Sequence, residues 1–324
     1  MPEVSRKDVL KAAKRIVGQV ERTPLVKTRI HGQELWLKCE CLQTGGSFKL
    51  RGATNRLMQL DDGQRRRGVV AFSSGNHARG VAIAARRLGI RATIVMPSDA
   101  PGVKVEGTRA EGALIVFYDR KTEDRAAIAA RLANETGATV VPSFDDSMIV
   151  AGQGTVGLEI VDQLAEAGEP PPRRIVVPTG GGGLASGIAL ACPDTEIICV
   201  EPEGWDDMRV SLELGHIVPV AKDAPPTLCD ALQTLRVSPI TFGILGARGV
   251  TAVAVSEAEV AEAVRFAWAE HQLVVEPGGA VALAALLSGK VEFGEGTGAV
   301  LSGGNVDLAL HARIVGEAQP AEVR

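Results

Sequence analysis

Aromatic side chains are scarce in this 324-residue chain: seven Phe, three Trp and one Tyr, 3% of the total. That is too few for the stacking platforms on which single-stranded nucleic acid is held. A positive excess is also missing. Lys and Arg number 35 against 39 Asp and Glu, for a net charge of −4, which removes the electrostatic footprint of a nucleic-acid partner. No apolar run approaches the ~18 residues that a membrane span needs. The start, Met1 to Lys11, is charged and lacks the apolar centre of a secretory signal. Cysteine is thin as well: positions 39, 41, 192, 199 and 229 form an odd set without a Cys-x-x-Cys pair, which argues against disulfide and zinc frameworks. Five reduced cysteines in a cytoplasmic protein are expected.

What is present is apolar bulk (45%) and glycine (37 residues). The length suits one large domain or two closely connected ones, with a substantial core. Short β-branched runs alternate with amphipathic stretches. The pattern predicts strands at 68–72, 91–96, 113–118, 138–142, 174–178 and 195–200. Helices are expected at 78–88, 102–110, 122–136, 153–167, 184–191 and 257–271. The last opens with Ser256 and Glu259 at capping-box spacing, and Val260, Val264, Ala267 and Trp268 read as its buried face. Such alternation implies parallel sheets flanked by helices, an α/β fold with ligands at the carboxyl ends of strands. The stretch 217–249, with Pro219, Pro225, Pro226 and Pro239, reads as the least regular, and the tail after Gly316 as frayed.

Five segments carry candidate chemistry. In Thr44-Gly-Gly-Ser-Phe-Lys-Leu-Arg-Gly-Ala53, Lys49 sits among small residues, where desolvation makes an amine nucleophilic, although the local residues alone favour a solvated lysine at a helix start. Ser73-Ser-Gly-Asn-His77 joins a strand to a helix and suits either a carboxylate or simple capping. Pro178-Thr-Gly-Gly-Gly-Gly-Leu-Ala-Ser-Gly187 lets backbone N–H groups approach a phosphate. It has neither the dinucleotide spacing, since Ser186 stands at the third glycine, nor a Walker lysine, so a smaller phosphorylated cofactor is expected. Leu301-Ser-Gly-Gly-Asn-Val-Asp307 would bring the Ser302 hydroxyl to the same cleft, or form a plain turn. Val200-Glu-Pro-Glu-Gly-Trp-Asp-Asp207 groups oxygen donors suited to a hard cation, or a solvated helix start.

Taken together, these segments resemble the fold type II pyridoxal-phosphate (PLP) enzymes, specifically the serine/threonine dehydratase and serine racemase family. The resemblance runs from Arg22-Thr-Pro-Leu25 to Ser302-Gly-Gly-Asn305. It implies a two-domain, tryptophan synthase β-like α/β fold. A large cofactor domain would comprise 1–61 plus 147–324, with a smaller substrate-side domain at 62–146. It implies Lys49 as the Schiff-base lysine that also takes the α-proton, and Gly180, Gly181, Gly182, Gly183 and Leu184 as the phosphate cradle. Phe48 and Asn76 would meet the cofactor ring, and Ser302 its pyridine nitrogen. Ser73, Ser74, Asn76 and His77 would hold the substrate carboxylate, and Ser74, on the face opposite Lys49, would permit some racemisation. In metal-dependent members the positions of Glu201, the Trp205 carbonyl and Asp207 bind Mg²⁺, Ca²⁺ or Mn²⁺.

The implied activity is dehydration and deamination of L-threonine or L-serine to a 2-keto acid and ammonia, by a homodimer without nucleic-acid or membrane partners. Two loops depart from the family's usual wording, Cys229-Asp-Ala231 and Glu276-Pro-Gly278, which puts narrow specificity for serine or threonine in doubt. Arg120 and Arg125 belong to a segment that can face the substrate, and Arg125 stands where the racemase branch has an arginine able to reach a second carboxylate. The alternatives are therefore a serine or aspartate racemase, or a lyase for 3-hydroxyaspartate or a diaminobutyrate-type substrate of ectoine breakdown. Outside the enzymes, a catalytically idle amino-acid-binding protein is the rival.

Overall fold

The computed structural model describes residues 4–316, apart from Ser74 and Pro101 and the side chain of Val103. The tail after Gly316 lies outside the described residues. In chain order the described strands are β1 (Leu25–Ile30), β2 (Gln33–Cys39), β3 (Val69–Phe72), β4 (Ala92–Pro97), β5 (Leu114–Tyr118), β6 (Thr139–Val140), β7 (Arg174–Pro178), β8 (Glu196–Pro202), β9 (Thr251–Val255) and β10 (Thr297–Leu301). They form a six-stranded sheet, β1-β2-β10-β7-β8-β9, and a four-stranded one, β5-β4-β3-β6. Every pairing is parallel except the β1–β2 hairpin. Its two-residue turn, His31-Gly32, has φ of 48° and 79°, the left-handed pair that a tight hairpin requires.

Parallel strands covered on both faces need unbroken apolar runs rather than alternation. Ile175, Val176 and Val177 of β7 and Val69, Val70 and Ala71 of β3 are all buried. The helix Pro277–Leu287 is apolar on every side and buried along almost its whole length against the six-stranded sheet. The core around the four-stranded sheet also takes in Leu50, Ala53, Leu57 and Ile149, from helices that flank that sheet's segment of the chain.

Several expectations change. The helix expected at 153–167 is found as Thr155–Glu166, and a further helix that was not expected, Ser147–Gln153, precedes it across Gly154. There the helix Gly183–Ala191 passes so close that a Cβ on Gly154 would lie 2.5 Å from the Gly187 carbonyl. The 217–249 stretch contains the helix Pro239–Ala247. Pro239 starts it, at the first-turn position where proline's missing N–H costs nothing, and Ser238 caps it in a reciprocal pair with Thr241. In Glu257–His271 the buried face is Val260, Ala263, Val264 and Ala267, whereas Trp268 is 43% exposed. Each four-residue step overshoots a turn by about 40°, so the series 260, 264, 268 drifts off the face. The indole instead meets His311 edge-on, with ring centroids 5.5 Å apart.

Candidate active site

A cavity of about 660 Å³ opens at the carboxyl ends of β3, β7 and β10, where a parallel sheet places its ligands. Phe48, Lys49, Ser73, Asn76, His77, Arg125, Gly180, Gly181, Gly182, Gly183, Leu184 and Ser302 all line it, so residues up to 254 positions apart meet there. Ser74 lies outside the described residues.

Lys49 is the first residue of the helix Lys49–Leu57. Its Nζ donates to the Ser143 carbonyl at 3.2 Å and lies 5.1 Å from the Phe48 ring centroid. Burial lowers its pKa from 10.5 to about 8, against the pull of Glu276, so the neutral amine is accessible near physiological pH. The lysine is therefore not the solvated residue that its local sequence also allowed.

The lysine's helix is tied to β10 and to a buried ion cluster. Ser47 bridges to Gly303, and the Phe48 N–H donates to the Ser302 carbonyl at 3.2 Å. Two residues after Lys49, the fully buried Arg51 binds Glu40 through Nε and Nη2, at 2.8 and 2.7 Å, and Glu159 through Nη1 and Nη2, at 2.6 and 2.8 Å. Lys38 donates to Glu159, to Gln163 and to the Thr23 carbonyl, at 2.7, 2.8 and 2.7 Å. Two cations meet two carboxylates, and the cluster is neutral.

The tetraglycine segment ends at Gly182, with φ of 82°, where the helix Gly183–Ala191 begins without a side-chain cap. A Cβ on Gly181 would overlap the Phe144 ring, and one on Gly182 would lie 2.6 Å from Met208 Cε. The uncapped N-terminus faces the cavity with its N–H groups and positive dipole end, a seat for a phosphate. Ser302 directly follows β10 on the cavity wall, 5% exposed.

Across the cavity, Asn76 and His77 belong to the first turn of the helix Asn76–Arg87, not to a loop. The His77 Nε2 pairs with the Val141 carbonyl at 2.9 Å. Burial, then the nearby Lys49 charge, pushes its pKa down to about 3, so the ring is neutral and brings no cation to a carboxylate. Asn76 is bonded on both sides. Its Oδ1 accepts from Asn305 Nδ2 at 2.8 Å, and its Nδ2 donates to Glu276 Oε1.

Two residues outside the expected site groups, Glu276 and Asn305, thus join the cavity's network. Glu276 is buried, lines the cavity and has no partner for Oε2 among the described residues. Burial, then the Asp230 charge, pushes its pKa up to about 7, against Lys104, Asn76 and Lys49. Its signal in the sequence was a carboxylate directly before a wholly apolar helix.

Arg125 starts the helix Arg125–Thr136 and lies half-buried, its guanidinium 5.8 Å from the Phe72 ring centroid. Among the described residues it has no acidic partner, unlike Lys104, which also lines the cavity but is paired with Asp230. Arg120 does not line the cavity. It is exposed and bound to Asp99 at 2.8 Å.

Glu201, Trp205 and Asp207 lie apart from the cavity lining. Glu201, fully buried at the end of β8, accepts from the Met208 and Arg209 N–H groups at 3.1 and 2.8 Å, capping the helix Asp207–Leu214. Asp207 Oδ2 accepts from Val237 N–H at 2.8 Å, while its Oδ1 is buried without a partner among the described residues. The Trp205 indole donates to the Pro225 carbonyl at 2.8 Å. No cluster of three or more His, Cys, Asp or Glu suited to a metal occurs among the described residues.

Residues 16–303 match the family described as "Pyridoxal-phosphate dependent enzyme". The chain belongs to this family. It is 44% identical over 317 residues to an L-threo-3-hydroxyaspartate ammonia-lyase of Pseudomonas sp, covering 95% of this chain and 97% of the relative. It is 39% identical to an L-threonine ammonia-lyase of Thermotoga maritima, covering 96% of this chain and 78% of the relative. The solved structure of maize serine racemase superposes with a TM-score of 0.89 at 35% identity, covering 96% of each chain. The protein is thus a PLP-dependent enzyme whose relatives include ammonia-lyases and serine racemases. The site suits the cofactor: an uncapped helix N-terminus behind glycines that exclude any Cβ, and a lysine amine whose charge burial weakens. Among the described residues, no helix is long and apolar enough to cross a membrane.

Proposed function

We propose that the protein is an ammonia-lyase for β-hydroxy α-amino acids, releasing a 2-keto acid and ammonia, and that its preferred substrate carries a second carboxylate, as 3-hydroxyaspartate does. The observation that carries this reading is Arg125, a cavity-lining guanidinium with no acidic partner among the described residues. A half-buried cation with no counter-ion is an unmet demand for an anion, and a side-chain carboxylate meets it bidentately. L-Serine and L-threonine have no group to place there.

In this reading Gly180–Gly183 and Leu184 hold the PLP phosphate through backbone N–H groups. Ser302 offers its hydroxyl to the pyridine nitrogen, and Phe48 and Asn76 flank the ring. Bound PLP supplies the electron sink that makes the α-carbon acidic. Lys49 would anchor the cofactor through Nζ, and its free amine would carry the α-proton. Ser73 and the N–H groups at the start of the helix Asn76–Arg87 hold the α-carboxylate. Ser74 is assigned the opposite face. Loss of the β-hydroxyl as water then leaves the unsaturated amine that hydrolyses to keto acid and ammonia.

The decisive assay measures keto acid, ammonia and product chirality with L-threo-3-hydroxyaspartate, L-serine and L-threonine. Arg125→Met should raise KM for the dicarboxylic substrate by ~10-fold or more, the scale of a lost charge-assisted contact, and leave L-serine turnover nearly unchanged. Preference for L-serine in the unaltered enzyme, with no effect of Arg125→Met, would refute the assignment.

A divalent cation at Glu201, the Trp205 carbonyl and Asp207 is a second proposal. Its support is the unpartnered, buried Asp207 Oδ1 beside a buried Glu201, with a backbone carbonyl rather than a third acid completing the set. Loss of melting temperature on chelation, reversed by Mg²⁺ or Mn²⁺, tests it. We also propose residues 62–146 as the substrate-side unit, a homodimer, checked by sedimentation, and a reducing cytoplasmic setting. The five buried, unpaired cysteines accord with the last.

A further inference from the structure

We propose that Asn305 and Arg79 are positioning residues that, with Glu276, fix which way the Asn76 amide faces, so that Asn76 offers the cofactor an N–H donor and not its carbonyl oxygen. The inference rests on the reading of the cavity as the PLP site.

An amide's two ends have nearly the same shape, so its orientation is set by what its neighbours can donate or accept. Asn305 lies between two groups that leave no choice. Arg79 Nη1 meets its Oδ1 at 2.9 Å, and a guanidinium only donates. The Gly45 carbonyl meets its Nδ2 at 2.8 Å, and a carbonyl only accepts. Turning Asn305 over would set N–H against guanidinium and oxygen against oxygen.

With Asn305 fixed, its second N–H donates to Asn76 Oδ1 at 2.8 Å, which directs the Asn76 Nδ2 toward Glu276 Oε1. Glu276 accepts there whether or not its other oxygen carries a proton, so its titration does not break the chain. One N–H of Asn76 remains for the cavity that Asn76 lines. From Arg79 through Asn305 and Asn76 to Glu276, every bond runs from donor to acceptor in the same sense, and aligned hydrogen bonds polarise one another. Glycine makes room at both ends: a Cβ on Gly46 would overlap Asn305 Oδ1, and one on Gly303 would overlap Glu276 Oε1.

The test uses the PLP-loaded enzyme and reads its visible absorption band and cofactor Kd. Asn305→Asp replaces the donor with an oxygen facing two others, and Arg79→Leu removes the donor that orients Asn305. Both should shift the band in the same direction and raise Kd by about tenfold, the scale of one lost cofactor hydrogen bond. Arg79→Gln, which retains an N–H donor, should restore the unaltered band, and Glu276→Gln, which retains an acceptor, should keep it. A merely structural loss would not be repaired by the amide at position 79. Arg79 is only half-buried, so its variants remain informative if Asn305→Asp fails to fold. An unchanged band and Kd in Arg79→Leu and in any folded Asn305→Asp would overturn the inference alone. Absence of a PLP band in the unaltered protein would overturn the cofactor-site reading, and the inference with it.

Discussion

Replacing Arg51 by methionine tests how the lysine-bearing helix is seated. The side chain is fully buried, and its guanidinium makes four bonds of 2.6–2.8 Å to Glu40 and Glu159, with further contacts to the Thr155 hydroxyl and the Glu21 carbonyl. Methionine fills much of the volume but leaves the cluster at net −1, with Lys38 alone facing two carboxylates. Breaking a buried pair from one side costs about 3–5 kcal/mol, because the stranded charge cannot return to water. Adding Glu40→Gln restores neutrality and should regain most of that loss. The assay is urea denaturation at saturating PLP, read as a change in midpoint at constant m.

The same variant should reverse a pH dependence. Burial alone would raise the Glu40 pKa, but the charge and hydrogen bonds of Arg51, with Lys38 and Thr23, hold it below its ordinary 4.5. A depressed carboxylate contributes stability that is present above pH 4.5 and lost as pH falls through the folded-state value. Without Arg51, burial dominates, the pKa rises above 4.5, and acidification relieves the buried charge instead of exposing it. A loss below about 1 kcal/mol in Arg51→Met, or a double variant that loses the sum of both singles, would refute this reasoning.

Two further outcomes complete those given for Arg125 and for the Asn305 chain. Gly181→Ala places a methyl in the Phe144 ring, so it should cost about 1–3 kcal/mol and empty the PLP site, and Phe144→Ala in the same chain should restore binding by opening the space; normal cofactor content in Gly181→Ala would refute the cradle. PLP uptake by the apoprotein needs the neutral amine of Lys49, so its rate should climb with pH and level off above about 8; a stopped-flow rate still climbing as pH nears 10.5 would show an ordinary solvated lysine.

Local patterns carried much of this molecule. The strand–helix alternation and the glycine runs after strands point to segments that line the cavity. What local pattern could not give was pairing over distance. Arg51 and Glu159 are 108 positions apart, and Asn76 and Glu276 are 200 apart. No spacing rule links such residues, and Arg51, Glu159 and Glu276, each taken alone, read as surface charges. Glu276 stands out in the sequence only as part of the Glu276-Pro-Gly278 loop, because its role in the site comes from burial, not from its neighbours in sequence. Pro239 reads as an interruption in the sequence but starts a helix, because proline's meaning depends on whether it falls at a helix's start or its middle. Trp268 shares the spacing of the buried face but lies outside it, because a repeat of four, followed long enough, leaves the face it began on.

The Ser47–Gly303 bridge and the Phe48–Ser302 bond join the lysine's helix to the end of β10 within two residues of Lys49 on one side and next to Ser302 on the other. The groups assigned to opposite ends of the cofactor therefore share one backbone junction. Arg125 stands on the far wall, on a helix packed against the four-stranded sheet. A displacement of that helix would move the Arg125 guanidinium relative to the cavity while the Ser47–Gly303 junction, and the two anchors assigned to it, stayed together. The enzyme could then change what it holds, and let go of its product, without loosening what it works with.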